Sequence, residues 1–516
     1  MPTYLSPGVY VEEAEAGARP IEGVGTAVAA FVGVAGTGPF NTPTLVTNWS
    51  QFTGTFGDFV EGSYLHHAVY GYFQNGGGAC FIVRIGGNGT ASLPPAKAEL
   101  TATAGAGTGA QGNIGALRVE ALAEGAEGND ISVEVSDTAA EGAPDDAFKL
   151  VIKKANKVEE TFDNVTMKKG RQNVATVVNA QSKLVRIEDL GVSAEKVSRG
   201  TISLAGGGVV APSQLGPDDY VGDPADRTGF GGLEAIDEIT MVSVPDLMSA
   251  YQNGMIDMEG VKAVQLAMIA HCELMGDRVA VLDAPPGLNA QQIKEWRVDK
   301  AGYDSKYAAL YWPWIKVFDP PTGQARFVPP SGHMAGIWAR NDDTRGVHKA
   351  PANEVVRGAV DIEMNISKVE HDLLNPIGVN VIRAFPGKGI KVWGARTLSS
   401  DTSWRYINVR RLFNYLEKSI LNGTDWVVFE PNDPALWSRI RRTVAAFLVN
   451  EWRKGALFGT TAEQAFYVKC DDESNPAESI DAGQVVCEIG VAPVKPAEFV
   501  VFRLSQFSGG TSLVAE

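Results

Sequence analysis

The sequence predicts a multidomain chain of the α/β and α+β classes: an α/β core, an inserted mostly-β domain, and a strand at each end that needs a partner sheet. Three patterns carry this prediction. Between residues 239 and 318, wholly apolar runs alternate with amphipathic stretches, which is the mark of a parallel, doubly wound sheet. Between about 93 and 211, the chain turns rich in Ala, Gly, Thr and Glu, and its runs alternate apolar with polar. At the ends, Val9-Tyr10-Val11-Glu12-Glu13 and residues 498–504 read as strands with no neighbour nearby in sequence. An isolated strand exposes unpaired N–H and C=O groups, so each must join a sheet, in its own subunit or in a neighbouring one.

The elements follow in order. After Pro7-Gly8 and the first strand, residues 17–25 read as a tether. Residues 27–34 form a buried strand, residues 64–73 a small helix ended by Gly76-Gly77-Gly78, and residues 79–85 a second strand. Glycines at 86, 87 and 89 open the inserted domain, in which 116–121, 130–135 and 148–152 alternate like half-exposed strands, and Gly206-Gly207-Gly208 closes it. The α/β pattern then runs strand 239–244, helix 259–275, strand 279–282, helix 290–301 and strand 308–318. On the first of these helices Val261, Val264, Met268, Cys272 and Met275 share a face. A helix over 332–341 follows, then an amphipathic helix marked by Val409, Leu412, Phe413, Leu416 and Ile420. Asp433-Pro434 starts another helix reaching about Lys454, since Asp caps and Pro suits the first helical position. Strands at 464–470 and 485–491 precede the terminal one. The expected divisions are an arm at 1–25, core at 26–90, insertion at 91–215, α/β core at 216–380, a C-terminal domain at 381–497 and a terminal strand and tail at 498–516.

Composition narrows the function. The chain has 516 residues, 44% hydrophobic and 21% charged, with 61 acids against 45 Lys and Arg for a net charge of −16. That excess of acid argues against nucleic acid as the main partner, because phosphate neutralisation needs basic side chains. No run approaches the ~20 apolar residues that span a bilayer, and the N-terminus lacks a basic stretch followed by an apolar core. Assembly in the cytoplasm is the expectation. Four cysteines are no disulfide framework; Cys80 and Cys272 read as buried hydrophobes, while Cys470 and Cys487 lie on consecutive strands where they could face each other, reduced.

Signs of chemistry are sparse. Asp246, Asp283 and Asp319 each follow a buried strand, where open α/β folds place catalytic groups. Each also sits beside proline or a turn, where Asp caps backbone. Gly387-Lys388-Gly389 and the glycines of 105–109 fit neither a phosphate cradle nor a dinucleotide motif, and no Ser sits in a nucleophile elbow. His66, His67, His333, His348 and His371 lack metal-ligand spacing. The helix from Pro434 says more. Leu436, Ile440, Val444, Phe447 and Leu448 form its apolar stripe, and Arg439, Arg442, Ala446, Asn450 and Arg453 run along another side, with Arg441 and Lys454 near. This face is either solvated or a docking surface for an acidic partner.

Several separated blocks resemble one family in the right order. Pro7 to Glu13, Gly36-Thr37-Gly38-Pro39-Phe40 and Thr53-Gly54-Thr55-Phe56-Gly57 are similar to the opening of contractile tail sheath proteins. Pro329-Pro330-Ser331-Gly332-His333-Met334-Ala335-Gly336 through Arg340 and Asp343, then Gly346 and Lys349 to Asn353, resembles the family's most specific block. Arg410-Arg411-Leu412-Phe413 and Phe429-Glu430-Pro431-Asn432-Asp433 fit as well. The resemblance covers residues 1–84 and 218 onward; the inserted domain matches only in position.

That resemblance implies a homo-oligomer of hexameric rings, stacked helically around an inner tube, which contracts on a trigger from a baseplate and is closed by a terminal cap. It implies a place in a phage tail or a phage-derived injection particle, with no enzyme activity, cofactor, nucleic acid or membrane insertion. It implies strand exchange between subunits through Val9, Tyr10 and Val11 and through Phe499, Val500, Val501 and Phe502, and docking on the tube through Arg439, Arg442, Arg453 and Lys454. The alternatives are an α/β enzyme using the three strand-end aspartates and a static tube or shell protein.

Overall fold

A computed structural model describes residues 20–60, 62–86, 97–102, 114–122, 128, 130–138, 143–144, 146–154, 157–189, 197, 199–204, 215–320 and 322–503. The expected arm strand at Val9, Tyr10 and Val11, and the glycine borders at 87–89 and 206–208, lie outside the described residues. The chain divides into two compact units. The larger holds Gly25–Thr344 and Pro351–Arg405; the smaller holds residues 20–24, Arg345–Ala350 and 406–503.

In the larger unit a nine-stranded sheet runs in the order Glu354–Val355, Gly389–Val392, Val379–Phe385, Ala308–Trp312, Val279–Asp283, Met241–Ser243, Val28–Val34, Ala79–Ile85, Thr44–Val46. Its six middle strands are parallel, and antiparallel strands close both edges. Val-Ala-Ala-Phe-Val-Gly-Val at 28–34 is buried after its first residue because both faces of a parallel sheet are covered. The chain moves outward in one direction from Val28–Val34 to Ala79–Ile85, then returns to build the other side from Met241–Ser243 onward, so the topological switch falls between Val28–Val34 and Met241–Ser243. The predicted boundary at 380/381 falls inside Val379–Phe385, a strand of this sheet.

Two predicted elements change form. The run 308–318 is two strands, Ala308–Trp312 in the main sheet and Ile315–Asp319 in a separate three-stranded antiparallel sheet. Pro313 sits between them; it has no N–H to continue a ladder. The helix over 290–301 is α-helical at Ala290–Glu295 and widens to a π-helix at Trp296–Ala301.

The block Ser331 to Gly336 opens the helix Ser331–Arg345, and its small residues serve packing. A Cβ at Gly332 would run into the backbone of Ala68, and one at Gly336 into the backbone of Tyr72, both on the helix Leu65–Asn75. Opposite them, Gly71 leaves the space that the ring of His333 fills. These glycines let two helices approach closely, a role no larger residue can take.

The insertion has its own core. A four-stranded sheet, Gly200–Ser203, Ile131–Asp137, Phe148–Lys154, Lys157–Val165, and a three-stranded one, Lys97–Ala102, Ile114–Ala121, Val185–Asp189, are both antiparallel. Leu117 and Val119 from one sheet pack with Val133, Leu150 and Ile152 from the other, and with Val174 and Val178 of the helix Val174–Gln181. The alternation along 131–137 is the visible trace of this one-sided burial.

In the smaller unit, the helices Ile407–Gly423 and Pro434–Arg453 pack with a two-stranded ribbon, Phe466–Lys469 against Glu488–Val491. Their shared core includes Ile21, Leu412, Leu416, Ile440, Val444, Leu448 and Cys470.

Candidate functional site

The strand-end aspartates are spent on structure. Asp246 lies beside the topological switch, where an α/β enzyme would seat its ligand. Its carboxylate is buried and accepts from the N–H of Val34 at 2.6 Å, from Ser63 Oγ at 2.9 Å, from the N–H of Tyr64, and from the N–H of Leu65 at 3.1 Å. It thus caps the helix Leu65–Asn75 from a distant segment and fills the crevice. Asp283 does the same for Ser331–Arg345, accepting from Ser331 N–H at 2.8 Å and Ser331 Oγ at 2.5 Å. Burial pushes these carboxyls up, to about 6 for Asp246 and about 7 for Asp283. Asp319 ends the strand Ile315–Asp319, 2.9 Å from His67 Nε2 and 2.7 Å from Thr322 Oγ1. Burial raises its pKa, but the bonds from Thr322 and His67 and the charge of Arg326 outweigh it and hold the group below the usual range. Among the described residues, no cluster of three or more His, Cys, Asp or Glu is arranged to hold a metal, and no helix is long and apolar enough to cross a membrane.

The basic helix forms as its sequence dictates. Asp433 accepts from Leu436 N–H at 2.8 Å and Pro434 takes the first helical position. Leu436, Trp437, Ile440, Thr443, Val444, Phe447, Leu448 and Glu451 are buried, and Ala435, Arg442, Ala446, Asn450 and Arg453 are exposed on the other side. The four expected docking cations divide. Arg442 and Arg453 face outward. Arg439 is half-buried, its guanidinium 4.6 Å from the ring of Trp426 and 3.9 Å from Glu430. Lys454 pairs with Glu451 at 2.7 Å, and Glu451 also accepts from Tyr415 Oη at 3.1 Å. Arg441, beside the stripe, donates to the carbonyl of Cys470 at 2.9 Å. Glu451, the helix's one acid, is buried, so the outward face is cationic without compensation from its own helix.

The C-terminal segment is tied down only as far as Glu498. Val494 N–H donates to Ala456 O, and the side chain of Asn408 to Val494 O. Tyr406 Oη reaches Glu498 at 3.0 Å. Beyond it, Phe499, Val500, Val501 and Phe502 belong to no strand and are 67–85% exposed. The predicted strand at 498–504 therefore forms no ladder among the described residues. The ribbon Phe466–Lys469/Glu488–Val491, meanwhile, is a sheet of two strands, with the outer edge of each unpaired among the described residues. A lone two-stranded ribbon with open edges is marginal and receptive.

One exposed group was readable only through the resemblance. Phe429 is fully exposed at φ +68°, a conformation bulky residues rarely take, and Val428 beside it and Leu421 are exposed too. A single exposed Phe carries no periodicity, so the sequence alone offers no signal for it.

Residues 229–398 match the family model for the phage tail sheath protein central domain, and residues 399–507 match that for the phage tail sheath C-terminal domain. The tail sheath protein of Burkholderia phage BcepMu is 22% identical over 517 residues, covering 96% of this chain and 95% of that one. That of Vibrio phage KVP40 is 27% identical over 43% of this chain and 35% of its own length. A putative prophage major tail sheath protein of Pseudomonas aeruginosa is 26% identical over 44% of this chain and 57% of its own. The chain thus spans about a third to just over half of the length of these last two relatives. Among solved structures, the helical sheath of the anti-feeding prophage in its contracted state matches 98% of this chain and 100% of that one, with TM-score 0.59 and 24% identity. The sheath of an extracellular contractile injection system, PVC, in its contracted state matches 98% of this chain and 99% of that one, with TM-score 0.57 and 22% identity. These likenesses show a shared fold. With two adjoining family models spanning more than half of the chain, this protein belongs to the phage tail sheath family.

Proposed function

We propose that this chain is the subunit of a contractile sheath, polymerising as stacked hexameric rings around an inner tube and shortening to drive that tube through a target envelope. The observation that carries the reading is the run of four apolar residues, Phe499 to Phe502, left in solvent immediately past the last anchor at Glu498. Large exposed apolar stretches mark association surfaces, and this one has strand composition. It adds to the open ribbon of a neighbouring subunit, as would the arm strand at Val9, Tyr10 and Val11. Such strand links repeat through the lattice, so it can hold as its packed bodies rotate.

The cationic face of Pro434–Arg453 docks on the acidic wall of the inner tube, with Arg442 and Arg453 as its outward charges, Lys454 exposed next to them and paired with Glu451, and Arg439 half-buried. A baseplate protein and a terminal cap complete the particle, a phage tail or a derived injection device assembled in the cytoplasm. The energy is stored in the lattice at assembly, so the subunit works without catalysis; Asp246, Asp283 and Asp319 serve the fold.

Removing residues 499–516 tests this. The truncated chain is expected to keep its circular dichroism and yield no sheaths by electron microscopy. Normal sheaths from the truncated chain would refute the strand-exchange reading, and particles of one length only, under all conditions, would refute contraction.

A further inference from the structure

Two cysteines, Cys470 and Cys487, flank one end of the ribbon Phe466–Lys469/Glu488–Val491. Its register pairs Phe466 with Val491 and ends with Lys469 opposite Glu488. Continued by one step, that register sets Cys470 opposite Cys487. Facing residues of an antiparallel pair hold their Cα atoms about 4.5–5.5 Å apart, within the about 4.4–6.8 Å span of disulfides. Each thiol lies close enough to shift the ionisation of the other.

Buried Asn475 sets the approach. Its Oδ1 accepts from Val486 N–H at 2.6 Å and its Nδ2 donates to Val486 O at 3.0 Å, while the same Nδ2 lies 3.9 Å from Cys470 Sγ. Cys487 is thereby brought in beside Cys470. Arg441 holds the other side through the carbonyl of Cys470. Cys470 is buried and Cys487 half-buried, so a small reagent enters at Cys487.

We propose that Cys470 and Cys487 are a built oxidation site, forming an intrachain disulfide when the protein leaves a reducing compartment. Oxidised glutathione supplies the chemistry. The Cys487 thiolate attacks one sulfur of that disulfide and expels one glutathione thiol. Cys470 then attacks the mixed disulfide and expels the second. One S–S bond breaks and one forms; two electrons pass from protein to glutathione, and the two protons lost by the cysteines appear on the two leaving thiols.

The new link closes residues 471–486 into a loop. That loop is tied to the start of the basic helix, because Asn432 Nδ2 donates to Gln484 O at 2.9 Å and Asn432 Oδ1 accepts from Trp437 Nε1 at 2.8 Å. Oxidation would therefore staple the ribbon and steady the segment that opens Pro434–Arg453, whether or not the assembly reading holds. Burial and the neighbouring Cys470 push the Cys487 thiol up to about 12, with Arg441 opposing, and burial raises Cys470 as well, with Asp471 adding and Arg441 opposing. The thiolate is scarce at neutral pH, so the reaction is slow and quickens by about tenfold per pH unit.

The test treats the folded full-length chain with oxidised glutathione, blocks remaining thiols, and maps peptides without reduction. The expected product is a 470–487 linked peptide pair two hydrogens lighter than its parts, with buried Cys80 and Cys272 still blocked as thiols. The melting transition of the smaller unit should rise by roughly 5–10 °C and fall back on reduction. Cys470→Ser and Cys487→Ser should each abolish the shift while keeping the reduced chain's circular dichroism. A stable glutathione adduct at Cys487 without the link, or no reaction short of unfolding, overturns the proposal.

Discussion

If Phe499 to Phe502 joins a neighbour's sheet as a strand, its two faces must differ. Phe499 and Val501 would point to one side and Val500 and Phe502 to the other. One pair packs on the receiving unit; the other faces outward. Serine at both positions of a pair removes two apolar side chains. Each is at least 67% exposed in the single chain, so two thirds or more of its burial is gained on association. Burying a Val or Phe is worth about 1.5–3 kcal/mol, so the inward pair contributes about 3–6 kcal/mol and the outward pair little. At about 1.4 kcal/mol per tenfold, the inward double variant should raise the subunit concentration needed for assembly by roughly 10²–10⁴. The backbone ordering cost is common to both variants and cancels between them. The assay compares Phe499→Ser/Val501→Ser with Val500→Ser/Phe502→Ser by sedimentation and microscopy across a dilution series, with circular dichroism to verify the fold. Equal effects from the two pairs would refute a strand, since only a period of two makes them unequal.

Reversing Arg442 and Arg453 to Glu should leave the monomer folded but yield few tube-filled sheaths, and high salt should mimic this in part by screening; wild-type yield of filled sheaths would mean that this face is merely solvated. Arg439→Glu should instead cost monomer stability, about 0.5–1 kcal/mol from the lost stacking on Trp426, read by denaturant unfolding. His333 is buried, and burial, with His67 beside it, lowers its pKa to about 3. Because the folded value lies below the unfolded value of about 6.5, the unfolded chain binds the extra proton, and stability is whole above pH 6.5 and lost as pH falls toward 3. Relative to His333→Gln, the wild type should lose about 1.6 kcal/mol of its advantage between pH 6.5 and 5; a gap independent of pH would show that the histidine is not buried neutral.

Local patterns were legible wherever one physical demand acts on neighbouring residues. Strands covered on both faces, such as Val28–Val34 and Val279–Asp283, must be apolar throughout, and strands of the insertion covered on one face must alternate. Asp433-Pro434 marks a helix start because capping is settled within a turn. Long-range pairings left no such trace. Asp246 meets residues 64 and 65, Asp283 meets Ser331, and Arg439 leans on Trp426; in the sequence the acids read only as local caps or strand-end groups and the arginine as part of a basic face. For that reason Arg439, Arg442 and Arg453 read as one stripe with Lys454 near it, and the fold sets Arg439, half-buried against Trp426, apart from the exposed Arg442, Arg453 and Lys454. It is the same with strands. Val and Phe at 499–502 specify a backbone that prefers to be extended, but pairing is a property of what lies alongside. Among the described residues nothing does, so the sequence determines the strand's chemistry and the tertiary structure decides that its backbone stays unpaired against them.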